Sequence, residues 1–210
     1  MQDAPPLIDL YTLPHKAIRA AVAHAAMTVG ATDPDGIAEA ASAVGEALGE
    51  LAAHAAHEEE FIDPLLERRL PDAAIEVAEQ HRRLGATIDG VLRQRDGALA
   101  VAPEQPGAVL GLYRALQRLA AENLLHLDHE ETVVMPALWV VTPPHELQEL
   151  MASFRAAHPD AAALYRRWPA ALAATERRLV GVGEASTVPA PERQGPSYPK
   201  PRSGAVTSGR

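Results

Sequence analysis

The sequence predicts an all-α protein, an up-down-up-down four-helix bundle followed by short extra helices. Alanine and leucine are abundant in the 210 residues, while Phe, Trp and Tyr number two, two and four. This composition favours helix, because Ala and Leu lose little freedom there whereas aromatic and β-branched residues suit strands. Four long segments show helical spacing of apolar residues, and no segment alternates as a strand would. Their short connections predict antiparallel neighbours.

Proline and turn residues mark the boundaries of the first two helices. A first helix is predicted over residues 14–30, since proline is tolerated in the first helical turn. The turn TDPDG at 32–36 supplies capping carboxylates for the next helix. That helix is predicted over residues 37–70, with a bend at Pro64.

The second half of the chain repeats this arrangement. A third helix is predicted over residues 71–97, and the loop VAPEQPG at 101–107 leads into a fourth helix that reaches Val141 with a bend at Pro136. Shorter helices are predicted after Pro144 and after Asp160.

These elements divide the chain into four predicted regions. From Gly181 onward Gly, Pro, Ser and Thr prevail and apolar periodicity ends, which predicts a flexible tail. The regions are an N-terminal extension over 1–12, the bundle over 13–142, accessory C-terminal helices over 143–180 and the tail over 181–210.

Charge and composition exclude several classes of function. A net charge of −9 disfavours binding to a phosphate backbone, and the absence of cysteine excludes disulfides, thiolate ligands and cysteine nucleophiles. The N-terminus lacks the basic and apolar regions of a signal peptide, and the apolar stretch at 133–141 is too short to span a bilayer. We therefore expect a cytoplasmic protein without nucleic-acid or membrane partners.

Two segments of the sequence match at a separation of 72 residues. ELAAHAAHEEEFIDPLL begins at Glu50, and ENLLHLDHEETVVMPAL begins at Glu122. Such a repeat indicates two similar helix pairs related by a pseudo-twofold axis. The matched residues are Glu50 with Glu122, His54 with His126, His57 with His129, Glu58 with Glu130 and Pro64 with Pro136.

Helical spacing places histidines and glutamates on inward faces. Residues four apart differ by only about 40° around a helix, so the His-x-x-x-Glu pairs share a face one turn apart. Two further histidines lie on apolar stripes of the first and third helices. The inward residues are His54 with Glu58, His126 with Glu130, His15 beside Ile18, Val22 and Val29, and His81 beside Leu84, Ile88 and Leu92.

Four imidazoles and two carboxylates in one interior indicate a pair of metal ions. Without neutralisation these groups would cost several kcal/mol per buried ion. Two histidines per metal and two bridging glutamates give each ion four protein ligands and leave open positions, which are typical of small-molecule chemistry. This donor set suits Fe, Mn or Zn. The surplus positive charge favours an oxo, hydroxo or peroxo group.

The order H…HxxxE…H…HxxxE on a four-helix bundle resembles the hemerythrin-like (HHE cation-binding) family over roughly residues 10–142. The resemblance implies two iron ions in an oxo- or hydroxo-bridged non-haem centre, with Mn or Zn as substitutes, that binds or reacts with O₂, peroxide or nitric oxide. The ligands that it implies are His15, His54, Glu58, His81, His126 and Glu130.

One position departs from the oxygen-carrying members of that family. They have a fifth histidine one turn after the third-helix ligand, and this chain has Gly85 there. The missing imidazole opens one metal further. It favours reaction with peroxide or nitric oxide, or oxidase-type reactivity, over simple reversible carriage of O₂.

Residues near the six ligands have two interpretations each. Glu50 and Glu122 lie one turn before a ligand histidine, where they either orient imidazoles or are solvated. His57 and His129 either line the pocket and relay protons or bond a neighbouring helix at the bundle edge. Phe61 and Val133 are expected in the apolar wall of the pocket. Glu131 is expected on the charged outer surface.

Three functions from different classes follow. The first is a di-iron protein that binds small oxidants, and the second is an oxidoreductase that decomposes peroxide or reduces nitric oxide. The third is an iron-dependent sensor or iron-handling module without turnover, in which metal occupancy folds the bundle. A structural zinc site is a weaker alternative, because zinc lacks redox chemistry. The sequence identifies no redox partner.

Overall fold

The computed structural model describes residues 8–102, 104–105 and 107–182, and within these ranges all regular structure is helical. The all-α prediction is confirmed. Residues 183–210 of the predicted tail and residues 1–7 of the predicted N-terminal extension lie outside the described ranges. The helices are α1 (Thr12–Gly30), α2 (Ile37–Phe61), α3 (Asp63–Arg69), α4 (Pro71–Val101), α5 (Gly107–His129), α6 (Met135–Val141), α7 (Pro144–Ala157), α8 (Ala162–Arg167) and α9 (Ala174–Leu179).

Helix α1 begins two residues before the predicted start. The Asp9 carboxylate caps it by accepting hydrogen bonds from the backbone N–H groups of Tyr11 (2.9 Å) and Thr12 (3.0 Å). At the other end Gly30 permits a close approach of α5. A Cβ added there would lie 3.1 Å from Cε2 of Tyr113, so a larger residue would require the Tyr113 ring to shift by a few tenths of an ångström.

The two halves of the repeat break differently at their prolines. The helix predicted over 37–70 is interrupted at Ile62, so that α2 ends and α3 begins just before Pro64. In the second half a π-helical turn, Glu130–Val134, joins α5 to α6 before Pro136. Such π turns often occur at functional sites, and this one contains a predicted ligand. Helix α4 continues to Val101, four residues beyond the predicted end.

The four long helices pack in a ring. Helix α1 packs on α2 and α5, and α4 packs on the same two helices. The inward histidines lie between two apolar clusters. One cluster includes Ile18, Leu51 and Leu84, and the other includes Tyr11 and Ile62. On α1 and α2 the ligand residues therefore separate one apolar layer from the next. The up-down-up-down order remains a prediction.

The accessory C-terminal helices cover one side of this ring. The predicted helices after Pro144 and Asp160 are present as α7 and α8. Helix α7 buries Leu147 in the second apolar cluster, and α8 packs on α1. None of the described helices has the length and apolar character needed to cross a membrane.

Candidate metal centre

The structure brings all six predicted ligands together inside the bundle. Each of the four long helices contributes one imidazole, α2 also contributes a carboxylate, and the π turn contributes the other. Their side chains are less than 10% exposed. The residues are His15 on α1, His54 and Glu58 on α2, His81 on α4, His126 on α5 and Glu130 on the π turn.

The two carboxylates lie between two pairs of imidazoles. Oε1 of Glu58 lies 3.6 Å from Nε2 of His15 and 3.2 Å from Nε2 of His54, while its Oε2 lies 3.4 Å from Nε2 of His81. Oε2 of Glu130 lies 3.4 Å from Nε2 of both His15 and His126. The two oxygens of Glu58 thus face opposite histidine pairs, as a bridging carboxylate requires.

These distances fit shared metal ions. Two donor atoms about 2.1 Å from one ion are roughly 3.0 Å apart at a right angle and about 3.4 Å apart at the tetrahedral angle. The ligand atoms form two sets of four, each within 4.8 Å of one another. Both sets contain Glu58 and Glu130. His15 and His54 complete one set, and His81 and His126 complete the other.

Unsatisfied polar atoms converge on the centre of the site. All four carboxylate oxygens of Glu58 and Glu130 are buried, as is Nε2 of both His15 and His54, and none of these atoms has a hydrogen-bond partner among the described residues. Buried polar atoms without partners are costly and uncommon. Two divalent cations would bind all six atoms, so the residues present fit a dinuclear metal site.

Burial shifts the protonation of these groups in opposite directions. It lowers the pKa of His54 and His126 to about 3, with the nearby His81 adding to the effect, and it also lowers the pKa of His15. Burial raises the pKa of Glu58 and Glu130 well above the usual carboxyl value. These three imidazoles are therefore neutral, which is the form that binds metal. The carboxylates need positive charge beside them to ionise.

Hydrogen bonds at the periphery orient two of the imidazoles. Nδ1 of His15 donates to Oε1 of Glu131 at 3.0 Å, and the guanidinium of Arg19 donates to both oxygens of Glu131 at 2.6 and 3.1 Å. Nδ1 of His126 donates to Oε1 of Gln80 at 2.9 Å. Both contacts place the hydrogen on Nδ1 and the lone pair on Nε2, a device common at metal sites. Nε2 of His15 faces the two carboxylates, and Nε2 of His126 lies 3.1 Å from Nε2 of His81. The placement of Glu131 on the outer surface was wrong.

The two carboxylates expected to orient imidazoles bond elsewhere. Glu50 accepts hydrogen bonds from Arg167 (2.9 Å) and from the indole N–H of Trp168 (2.8 Å), so it anchors α8 and the residue after it to α2. Glu122 accepts a hydrogen bond from the Thr87 hydroxyl at 2.7 Å. The bonding partners of these two carboxylates are therefore not ligand imidazoles, contrary to the interpretation that they orient the ligands.

The remaining predicted neighbours lie on different sides of the bundle. His57 and Phe61 line a cavity beside His54, where both contact the aromatic ring of Phe154 at centroid distances of 5.3 and 5.4 Å. His129 instead approaches Glu76, with Nε2 3.7 Å from the carboxylate oxygen, at the edge of the bundle. Phe61 thus lies in a pocket wall as expected, whereas Val133 is 52% exposed, so its predicted place in that wall was wrong. The two repeat-related histidines have different surroundings.

Gly85 faces an open space beside the second ligand set. It lines a cavity of about 320 Å³ together with His81 and His126, and a Cβ added at Gly85 would meet no heavy atom within 4 Å.

Sequence reasoning missed Asn123, which lines the same cavity as Gly85. Its Oδ1 is buried and has no hydrogen-bond partner among the described residues. Its position one turn before His126, on the same face, was the available signal.

Sequence reasoning also missed Tyr11. Its side chain is fully buried, its ring centroid is 5.4 Å from that of His15, and its hydroxyl has no partner among the described residues. Burial, together with the charges of Glu130 and Glu58, raises its pKa well above the ordinary value. The hydroxyl therefore keeps its proton. No metal-binding pattern includes this residue, so nothing in the sequence indicated its place beside the site.

The fold and the site together define a class of protein, a helical bundle with a cation site made of His and Glu side chains. Comparison with protein families identifies the family within this class. The model of the hemerythrin HHE cation binding domain matches residues 7–138. The chain belongs to this family, as the motif predicted, and it carries a metal-binding domain. Comparisons with curated proteins and with solved structures gave no significant match.

Proposed function

We propose that the chain binds two iron ions through the six ligands and binds or reacts with O₂, hydrogen peroxide or nitric oxide there. The observation that carries this proposal is the sharing of both carboxylates by the two ligand sets, because shared carboxylates hold two ions close enough to act together. Two bound iron ions would supply electrons and open coordination positions to a small oxidant. Imidazole and carboxylate donors suit iron, and zinc lacks the redox chemistry.

The surrounding residues support this function in three ways. Glu131 and Gln80 fix the tautomers of His15 and His126, so that both offer Nε2 to the centre. The open space at Gly85 leaves room for a small molecule beside the second ligand set. The hydroxyl of Tyr11 holds a proton within the same buried region.

Separate reactions with the three oxidants test the proposal. Protein loaded anaerobically with iron is mixed separately with O₂, hydrogen peroxide and nitric oxide, and absorbance and oxidant consumption are recorded. A stoichiometric spectral change without further consumption identifies a binding protein, and continued consumption identifies an oxidoreductase. Glu130→Gln should abolish the response, whereas Glu122→Gln, a matched change whose carboxylate bonds Thr87, should preserve it. No response to any of the three would refute the proposal.

A sensor function without turnover is the second candidate, and the anchoring of α8 favours it. Glu50 holds Arg167 and Trp168 on α2, one turn before His54. Metal loss that disturbs this part of α2 would also release the accessory helices. Hydrogen exchange of α7 and α8 in metal-loaded and metal-free protein tests this coupling. Faster exchange on metal removal, with no oxidant turnover, would support the sensor, and equal exchange rates would refute it.

A further inference from the structure

A second and larger cavity lies between the bundle and the accessory helices. Its volume is about 600 Å³, and its walls come from the start of α1, from α2 and from α7 and α8. His54 and Glu58 form part of its inner wall. The cavity therefore reaches two side chains of the candidate metal centre, and the same two side chains also line the smaller cavity at Gly85.

The volume exceeds what a diatomic oxidant needs. One water molecule occupies roughly 30 Å³ of liquid, so this cavity is about twenty times larger. It lies within the roughly 300–1,000 Å³ range of pockets that hold organic ligands. A space of this size next to the ligands is suited to an organic molecule rather than to O₂, peroxide or nitric oxide alone.

The lining of this cavity is mainly apolar. The ring centroids of Phe61 and Phe154 are 5.4 Å apart, and the imidazoles of His57 and His158, with centroids 4.4 Å apart, complete an aromatic corner. A ring nitrogen there can donate to or accept from a polar group of a ligand. Nε2 of His158 already lies 3.1 Å from Oε2 of Glu60. The larger aliphatic side chains of the wall are Leu10, Leu13, Ile62, Leu150, Met151 and Leu164.

The charged residues of the lining disfavour an anionic ligand. Arg167 is the one arginine or lysine among the described lining residues, and it is already paired with Glu46 at 3.0 Å and with Glu50 at 2.9 Å. Asp9 and Asp160 add acidic groups to the same lining. An anion would therefore enter a region of like charge without a cation to receive it.

From size, apolar lining and charge together, we propose that this cavity binds a neutral, largely apolar organic molecule with one polar group, and holds it against His54 and Glu58. Protein side chains alone form the binding surface, so binding needs no metal ion as long as α7 and α8 stay packed on the bundle. The role of the molecule as a substrate of the metal centre rests on the proposed function above, whereas its binding does not.

Two fluorescent probes with the same aromatic rings test the charge and the size of the site. N-phenyl-1-naphthylamine is neutral, and 8-anilinonaphthalene-1-sulfonate adds a sulfonate. Each is titrated into the full-length chain with and without metal. We expect saturable binding of one neutral probe per chain in both states, and at least about tenfold weaker binding of the sulfonate. Weak or unsaturable binding of the neutral probe, or equal affinities, would overturn the proposal.

Cavity-filling variants test the location. Ala53 on α2 and Ala163 on α8 line the cavity from two different helices, while Ala56 is an exposed alanine on α2 that lines neither cavity. Ala53→Phe and Ala163→Phe should each weaken the neutral probe at least about tenfold, and Ala56→Phe should leave its affinity unchanged. Two variants on different helices are made in case one of them does not fold, and circular dichroism checks that each variant is folded. Undiminished binding in both folded cavity variants would overturn the proposed location.

The two proposals fail separately. A chain that binds the neutral probe at this cavity but shows no reaction with O₂, peroxide or nitric oxide refutes the proposed function and leaves the binding site standing. A chain that reacts with an oxidant but binds no probe refutes the binding site alone.

Discussion

Removal of the Glu131 carboxylate should weaken metal binding although this residue is not a ligand. Glu131 accepts a hydrogen bond from Nδ1 of His15 and is itself held by two hydrogen bonds from Arg19. In Glu131→Ala, His15 loses the acceptor that fixes its tautomer and ring orientation. The imidazole then spends part of its time with Nε2 turned away from the centre or protonated, and both states bind metal poorly.

The structure sets the size of this effect. The His15–Glu131 contact is 3.0 Å long and joins a fully buried imidazole to a carboxylate whose side chain is 20% exposed. A hydrogen bond to a charged group is worth about 1.5–3 kcal/mol. That range corresponds to a roughly 10–100-fold loss of metal affinity, the usual cost of removing such a partner. Glu131→Gln keeps an acceptor but loses the charge that pairs with Arg19, so its loss should be smaller.

Competition with a chromophoric chelator measures the affinity of the wild type and of each variant for ferrous or cobaltous ion. Gln80→Ala removes the partner of His126 and should give a smaller loss, because a hydrogen bond to a neutral amide is worth only about 0.5–1.5 kcal/mol. Glu122→Ala serves as the matched control, because Glu122 bonds Thr87 and should leave the affinity unchanged. An affinity of Glu131→Ala within about twofold of the wild type would refute the reasoning, since it would mean that the ligand geometry does not need this support.

Three further predictions concern stability and the open position. Chelation should lower the melting temperature, measured by circular dichroism, by about 5–10 °C. The reference is protein at a free metal concentration of a hundred times the dissociation constant, and an unchanged melting temperature would contradict metal binding to the folded state. Gly85→His should fold, because a Cβ there meets no atom within 4 Å, and it should alter the visible spectrum of cobalt-loaded protein. Gly97→His on α4 is equally unhindered and should leave that spectrum unchanged. Glu50→Ala should lower the free energy of unfolding in urea by about 0.5–1.5 kcal/mol, because the contacts of Glu50 to Arg167 and Trp168 are lost. The metal affinity should not change, and an altered affinity would restore the interpretation that Glu50 orients a ligand imidazole.

The six inward residues could be predicted because their arrangement depends mainly on local geometry. His54 and Glu58 are four residues apart on one helix, so their common face follows from the helical repeat. The second copy of the pattern and the apolar stripes around His15 and His81 then orient all four helices towards one interior. The breaks near Pro64 and Pro136 were predictable for the same reason, since proline removes a backbone donor.

The supporting contacts could not be predicted, because they depend on how helices pair and where their register changes. Regular helical spacing directs Glu131 away from the ligand face, but the π turn Glu130–Val134 changes the local spacing, and Glu131 meets His15 of α1. Glu50 and Glu122 match in sequence, yet α8 covers only the first of them, so their hydrogen-bond partners differ. Such differences arise from tertiary packing, which the repeat alone does not contain.

The number of metal ions per chain tests the central claim most directly. The wild type, loaded anaerobically with ferrous ion and freed of excess metal, is analysed for iron and protein, beside His15→Ala and His81→Ala, each of which lacks a histidine of one ligand set. Two shared carboxylates and four imidazoles predict two ions in the wild type and fewer in either variant. One ion or none in the wild type, or an unchanged content in both variants, would contradict a dinuclear centre at these residues.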